Sequence, residues 1–260
     1  MDGLTELIQH AEKLYAAVKR LEGSRRGSHS SDQLWANFGE DNKDLSQSKA
    51  DILASTAAIR RLAAGPTELL QDLARHTELL ACLKWLAEFQ ILACIPVDVT
   101  ISVKDLADLV GVPQDQLSRV IRLMATFGFL HQPDANSVAH TPLSAQFLDN
   151  SWLDAAVFMA DHLAPTALQM SLATQRFGAS QNPGESAFNL AFNTTRSFST
   201  SVLNSHKLRR QWSAYLDHAA GLYREEDIFQ ALSQLNWTKL GNVCVVEVGC
   251  RPPFPLFEEN

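Results

Sequence analysis

The sequence predicts a mainly helical chain: a helical domain containing a winged helix-turn-helix, followed by only the first strand of an α/β domain. Three observations predict it. Apolar residues recur at helical spacing through most of residues 4–94. Residues 100–148 read as helix, turn, helix and then two short strands about a turn. Val243 to Gly249, VCVVEVG, reads as a buried strand entering a glycine turn, the way a nucleotide-binding α/β domain opens. After that turn Pro252, Pro253 and Pro255 lack backbone donors where a crossover helix would begin, so the next parallel strand is not expected.

Composition narrows the classes. With 260 residues, 46% hydrophobic and 20% charged, the chain can bury a substantial core. A net charge of −7 argues against bulk attraction to nucleic acid or anionic lipid. Cys82, Cys94, Cys244 and Cys250 lack the paired short spacings of a zinc site or a disulfide framework, which fits a reducing compartment. No apolar run approaches the roughly 20 residues that span a bilayer, and no leader pattern opens the chain, so the expectation is a cytoplasmic protein without membrane contact.

Taken in order, Leu4, Leu7, Ile8, Ala11, Leu14, Tyr15, Val18 and Leu21 predict an amphipathic helix over 4–21. Gly23 to Gln47 is rich in Ser, Gly and charge and reads as a linker, with a second helix over 49–63. Gly65-Pro66 punctuates the chain and Thr67 is the expected N-cap of the next helix. Over 67–94 that helix is apolar nearly all round, Leu83 and Leu86 included, which predicts burial on several sides by its own domain or by a second subunit. Ser102 with Asp105 predicts a cap for a short helix ended by Gly111-Val112-Pro113. Leu117, Val120, Ile121, Leu123 and Met124 line the second helix, and 129–132 and 137–140 pair as the wing.

A winged helix raises the question of DNA. Only Arg119 and Arg122 lie on the second helix, Asp115 stands at its start, and neither 95–101 nor 129–141 holds a Lys or Arg. Phosphate contacts supply most of DNA affinity, so packing or dimerisation is the expected use and nucleic acid is not an expected partner. Further on, Phe158, Met159 and His162 share a probable helix that Pro165 kinks or restarts. They are the candidate substrate-binding residues, an aromatic and thioether wall for a planar metabolite with an imidazole to orient a hydroxyl; the alternative is core packing.

The helical run at 67–94, the winged helix at 100–148, Ser186–Asn193 (SAFNLAFN), the helix around Leu208–Gly221 and Val245–Gly249 (VVEVG) together resemble the plant- and fungal-type small-molecule O-methyltransferases, nearest to those of fungal secondary-metabolite and polyketide-like pathways. The resemblance covers residues 50–249. It implies an S-adenosyl-L-methionine cofactor held in part by Glu247 and Gly249, a homodimer or a heterodimer with a full-length homologue, and a pocket near 158–162 and 192–215. It divides the chain into N-terminal helices and linker (1–64), a winged-helix dimerisation domain (65–184), connecting helices and the first strand of the cofactor domain (185–249), and a Pro-rich tail (250–260).

Departures from the pattern limit what carries over. Cys250, Arg251 and Pro253 stand where the family has glycines, and a Cβ or a proline ring there takes the room the cofactor needs. The family's second acidic residue and its catalytic histidine have no counterpart, so no catalytic residue is assigned. The expectation is an O-methyltransferase-family chain truncated at the first cofactor motif that binds no S-adenosyl-L-methionine and does not methylate alone. The alternatives are a non-catalytic dimerisation or metabolite-binding module, or a methyltransferase-fold protein guiding pericyclic or dehydration chemistry.

Overall fold

The first two helices pair along their small residues. The computed structural model describes residues 3–25, 43–218 and Ser233, and the elements below belong to the unit spanning 1–218. Helix α1 (Gly3–Arg25) lies against α2 (Lys43–Ala63), with Ala17, Ser48, Ser55 and Ala58 buried. Arg20 Nε donates to Ser48 Oγ at 3.3 Å, and its guanidinium meets Asp51 at 2.5 Å. Helix α2 therefore starts at Lys43, inside the stretch read as linker, because Gln47 and Asp51 make contacts that only a helix offers: Gln47 Nε2 donates to Asp51 Oδ1 at 2.8 Å. Leu4, Ile8, Tyr15 and Val18 of α1 remain exposed.

Helix α3 (Pro66–Glu88) is capped by Gly65, not Thr67. Pro66 occupies the first helical position, where its missing N–H costs nothing, and Glu68 Oε2 accepts from the Gly65 N–H at 2.9 Å. The expected burial on several sides holds only for the C-terminal half. Leu86 is fully buried with Leu79 and Leu83 packed beside it, while Leu69, Leu70 and Leu73 are 58%, 67% and 58% exposed. Leu83 and Leu86 thus belong to this chain's own core. The helix stops where Gln90 turns left-handed (φ 51°), and the short α4 (Ile91–Cys94) brings Ile91 and Leu92 into the same core.

The core is completed by β1 (Ile101–Ser102), α5 (Val103–Val110), α6 (Gln114–Thr126), β2 (Leu130–His131) and β3 (Ser137–His140). Ser102 Oγ accepts from Asp105 N–H at 3.0 Å, the expected cap. Gly111 (φ 71°) and Gly128 (φ 70°) end the two helices in left-handed turns that a Cβ disfavours. The sheet is antiparallel in the order β1-β3-β2, with Ile101 opposite Val138 and Leu130 opposite His140. Strands β2 and β3 pair as read from sequence, whereas β1, two residues long, had no alternation to reveal it. His140 ties this sheet to α4: its Nε2 lies 3.1 Å from the Leu92 carbonyl and its Nδ1 2.9 Å from Ser144 Oγ.

Beyond α7 (Pro142–Gln146), α8 (Asn150–Phe158) runs directly into a π turn (Met159–Leu163) and then α9 (Ala164–Leu168), with Pro165 in the first turn of α9. Helices α10 (Met170–Phe177), α11 (Ala187–Ala191), α12 (Phe198–Asn204) and α13 (His206–His218) follow, and α13 packs along α8. Among the described residues no helix is long and apolar enough to cross a membrane, and no cluster of His, Cys, Asp and Glu is arranged to hold a metal.

Candidate functional site

Phe158 sits at the centre of an aromatic nest. It closes α8, is 3% exposed, and lies 4.9 Å from Tyr215, 5.2 Å from Trp212, 5.5 Å from His162 and 6.3 Å from Phe198 between ring centroids. Phe192 continues the nest 5.1 Å from His162, and Phe188 bridges Phe192 (4.9 Å) and Phe198 (5.3 Å). Edge-to-face and tilted pairs at these distances add to the burial of the rings. Of the three candidate residues, Phe158 and His162 are brought together. Met159 opens the π turn, half-buried, with its carbonyl accepting from the Ala164 N–H.

The loop before α12 is built to hold these rings. Asn189 is buried, donates to the Thr194 and Arg196 carbonyls at 2.8 Å each, and accepts from Ser186 Oγ at 2.6 Å, which folds 186–196 into a compact hook. His162 is the polar member of the nest. Its Nδ1 is enclosed without a hydrogen-bond partner, and burial pushes its pKa below the usual 6.5, with Asp161 opposing the shift and Lys207 and Lys84 adding to it. The neutral imidazole is therefore favoured at pH 7. Asp161 is itself held by an ion pair with Lys84 of α3.

The partners of Phe158 were only partly legible. Phe188 and Phe192 are four residues apart, and Trp212 and Tyr215 three, so each pair shares a helical face, but no local pattern says that the two faces converge. Nor does the sequence announce the π turn. Glu247 and Gly249, the residues expected to hold the cofactor, lie outside the described residues.

No family model matches the chain. It is 56% identical over 252 residues to the notoamide biosynthesis cluster transcriptional coactivator of Aspergillus sp. (strain MF297-2), covering 96% of this chain and 55% of that protein. It is 42% identical over 255 residues to the monodictyphenone cluster transcriptional coactivator of Emericella nidulans, covering 96% of this chain and 53% of that one. The chain spans about half the length of the curated relatives it matches. Among solved structures it superposes on OxaC with a TM-score of 0.62 at 16% identity, covering 85% of this chain and 54% of OxaC. It superposes on LepI in its complex with SAM with a TM-score of 0.58 at 16% identity, covering 79% and 50%. The fold is methyltransferase-like.

OxaC has been solved with SAH and oxaline, and LepI with SAM, so both of these fold neighbours hold that cofactor or its product. The relatives with substantial identity are instead regulators of secondary-metabolite clusters. Sequence identity and fold likeness thus lead to relatives with different roles, as one scaffold hosts many functions.

Proposed function

We propose that this chain is part of a transcriptional coactivator of a fungal secondary-metabolite gene cluster, built on a methyltransferase-like scaffold that serves assembly instead of catalysis. The observation that carries the reading is the 56% identity, over 252 residues, with the notoamide-cluster coactivator; the enzymes that share the fold stand at 16%. In this reading α5, α6 and the β2–β3 hairpin form a winged helix turned to protein contacts. Arg119 and Arg122 are exposed on α6 beside Asp115, and α5 exposes Asp105 and Asp108 next to Lys104. That balance of charges neutralises few phosphates, so the coactivator works through a DNA-bound protein and not on DNA itself.

Residues 65–184 form the dimerisation domain, and the occupant of the exposed leucines of α3 is a second copy or a full-length homologue. Phe158 and His162 lock α8 to the helices around it, since the faces of Phe158 are taken up by neighbouring rings. S-adenosyl-L-methionine is not bound by this chain alone, because Cys250, Arg251 and Pro253 follow Glu247 and Gly249 where a bare turn is needed.

Deleting the gene separates a coactivator from an enzyme. The expected result is a concerted fall in the transcripts of several neighbouring biosynthetic genes. Unchanged transcripts with loss of a single methylated product would overturn the reading. Calorimetry on the purified chain is expected to show no saturable uptake of S-adenosyl-L-methionine, and binding in the micromolar range would restore a catalytic role.

A further inference from the structure

Helix α1 carries two apolar seams, and α2 covers one of them. Leu7, His10, Leu14, Ala17 and Leu21, spaced alternately three and four residues apart, are buried or half-buried where α1 packs on α2. Leu4, Ile8, Ala11, Tyr15 and Val18, spaced alternately four and three, form a second seam turned about 100° from the first, and all five are exposed. An apolar seam of this period is the pattern against which a further helix packs.

The outer half of α3 repeats that pattern. Pro66, Leu70, Leu73, Thr77 and Leu80 stand at the same spacing of four, three, four and three; the first four are exposed, Leu80 is half-buried, and exposed Leu69 lies beside them. The Thr77 hydroxyl donates to the Leu73 carbonyl of its own helix at 2.8 Å, so it puts no unpaired polar group on the seam. Neither seam holds a charged residue. Matched position for position, they set small against large: Ala11 meets Leu73 if the helices run parallel and Leu70 if they run antiparallel.

Area decides what covers them. The large side chains leave roughly 450 Å² exposed on the α1 seam and roughly 350 Å² on the α3 seam, and only the two together reach the about 800 Å² that one partner buries in a standard interface. A single foreign helix would cover one seam and leave the other in water. A second copy brings both, and in a two-fold pair two identical contacts cover all four.

We propose that α1 of each copy seats Leu4, Ile8, Ala11, Tyr15 and Val18 on the Leu70 and Leu73 face of α3 in a second copy, a reciprocal contact. The proposal rests on the dimer reading of α3, commits its occupant to a second copy and extends the interface beyond residues 65–184.

Cross-linking and sedimentation velocity on the full chain test it. Differently tagged chains carrying Ala11→Cys or Leu73→Cys are co-expressed and treated with a bismaleimide long enough to span one helical turn. The expected product is a covalent heterodimer whose joined peptides, read by mass spectrometry, contain residues 11 and 73. Ile8→Glu combined with Tyr15→Glu should turn the dimer into a monomer with an unchanged circular-dichroism spectrum, whereas Leu168→Glu, at an exposed leucine of α9, should leave it a dimer. Should the α1 variant lose helix, the cross-link alone decides. A dimer that gives no link between residues 11 and 73, or one that survives the folded α1 variant, would overturn the inference and leave the dimer reading in place. A parent chain that sediments as a monomer would overturn both.

Discussion

Among the described residues, His140 and His162 are the histidines whose protonation the fold resists. Burial lowers both pKa values from 6.5; backbone hydrogen bonds to Leu92 and Ile95 partly offset this at His140, as Asp161 does at His162. In the unfolded chain each imidazole takes up its proton near the ordinary value, so just below 6.5 the unfolded state binds more protons than the folded one. The stability contributed by neutral burial is then complete above that value and declines as pH falls through the lower folded pKa values. The melting temperature should drop between about pH 7.5 and pH 5.5, well above the range where Asp72, Asp134 and Asp149 protonate. His162→Phe and His140→Gln should each flatten the profile. A pH dependence unchanged in both variants would remove the histidines from the account.

At the same scale, legibility followed the range of the interaction. The Ser102 cap and the glycine stop at 111 rest on neighbours in sequence, and both stand where the sequence placed them. The cap of α3 went to Gly65 and not Thr67 because a proline at the first helical position and the Glu68 carboxylate outweigh a threonine hydroxyl. The orphan atoms of His162 and Gln211 arise from packing between distant helices, and no local pattern carries them.

Among the elements, α3 combines two environments along one axis. Its first turns expose Leu69, Leu70 and Leu73, and its last turns enter the core through Leu83 and Leu86. All-round apolarity in the sequence predicted burial on several sides, by its own domain or by a second subunit, without saying where along the helix the core contact falls. Leu70→Asp combined with Leu73→Asp should leave the fold of the single chain intact, with an unchanged circular-dichroism spectrum, because both sites are exposed within it. The same pair should convert a dimer to a monomer in sedimentation velocity. Leu86→Asp should instead unfold the chain, since it buries an unpaired carboxylate. A parent chain that already sediments as a monomer would sink the dimer reading. The π turn and β1 were invisible to periodicity, being one turn and two residues long.

For the whole molecule, the mainly helical class and the β2–β3 pairing were legible because helical spacing persists over many turns and the two strands flank a clear turn, whereas the strand expected at 243–249 lies outside the described residues. The role was not. Motif order pointed to the enzymes that share the scaffold, while identity runs to regulators of gene clusters. A scaffold does not state its use.

Helix α3 has a mechanical consequence. Its 23 residues make a stiff rod about 34 Å long. Exposed Leu70 and buried Leu86 stand about 24 Å apart along it, with the Lys84–Asp161 ion pair near the inner end. A partner on the outer end is thereby held clear of the core that fixes the inner end.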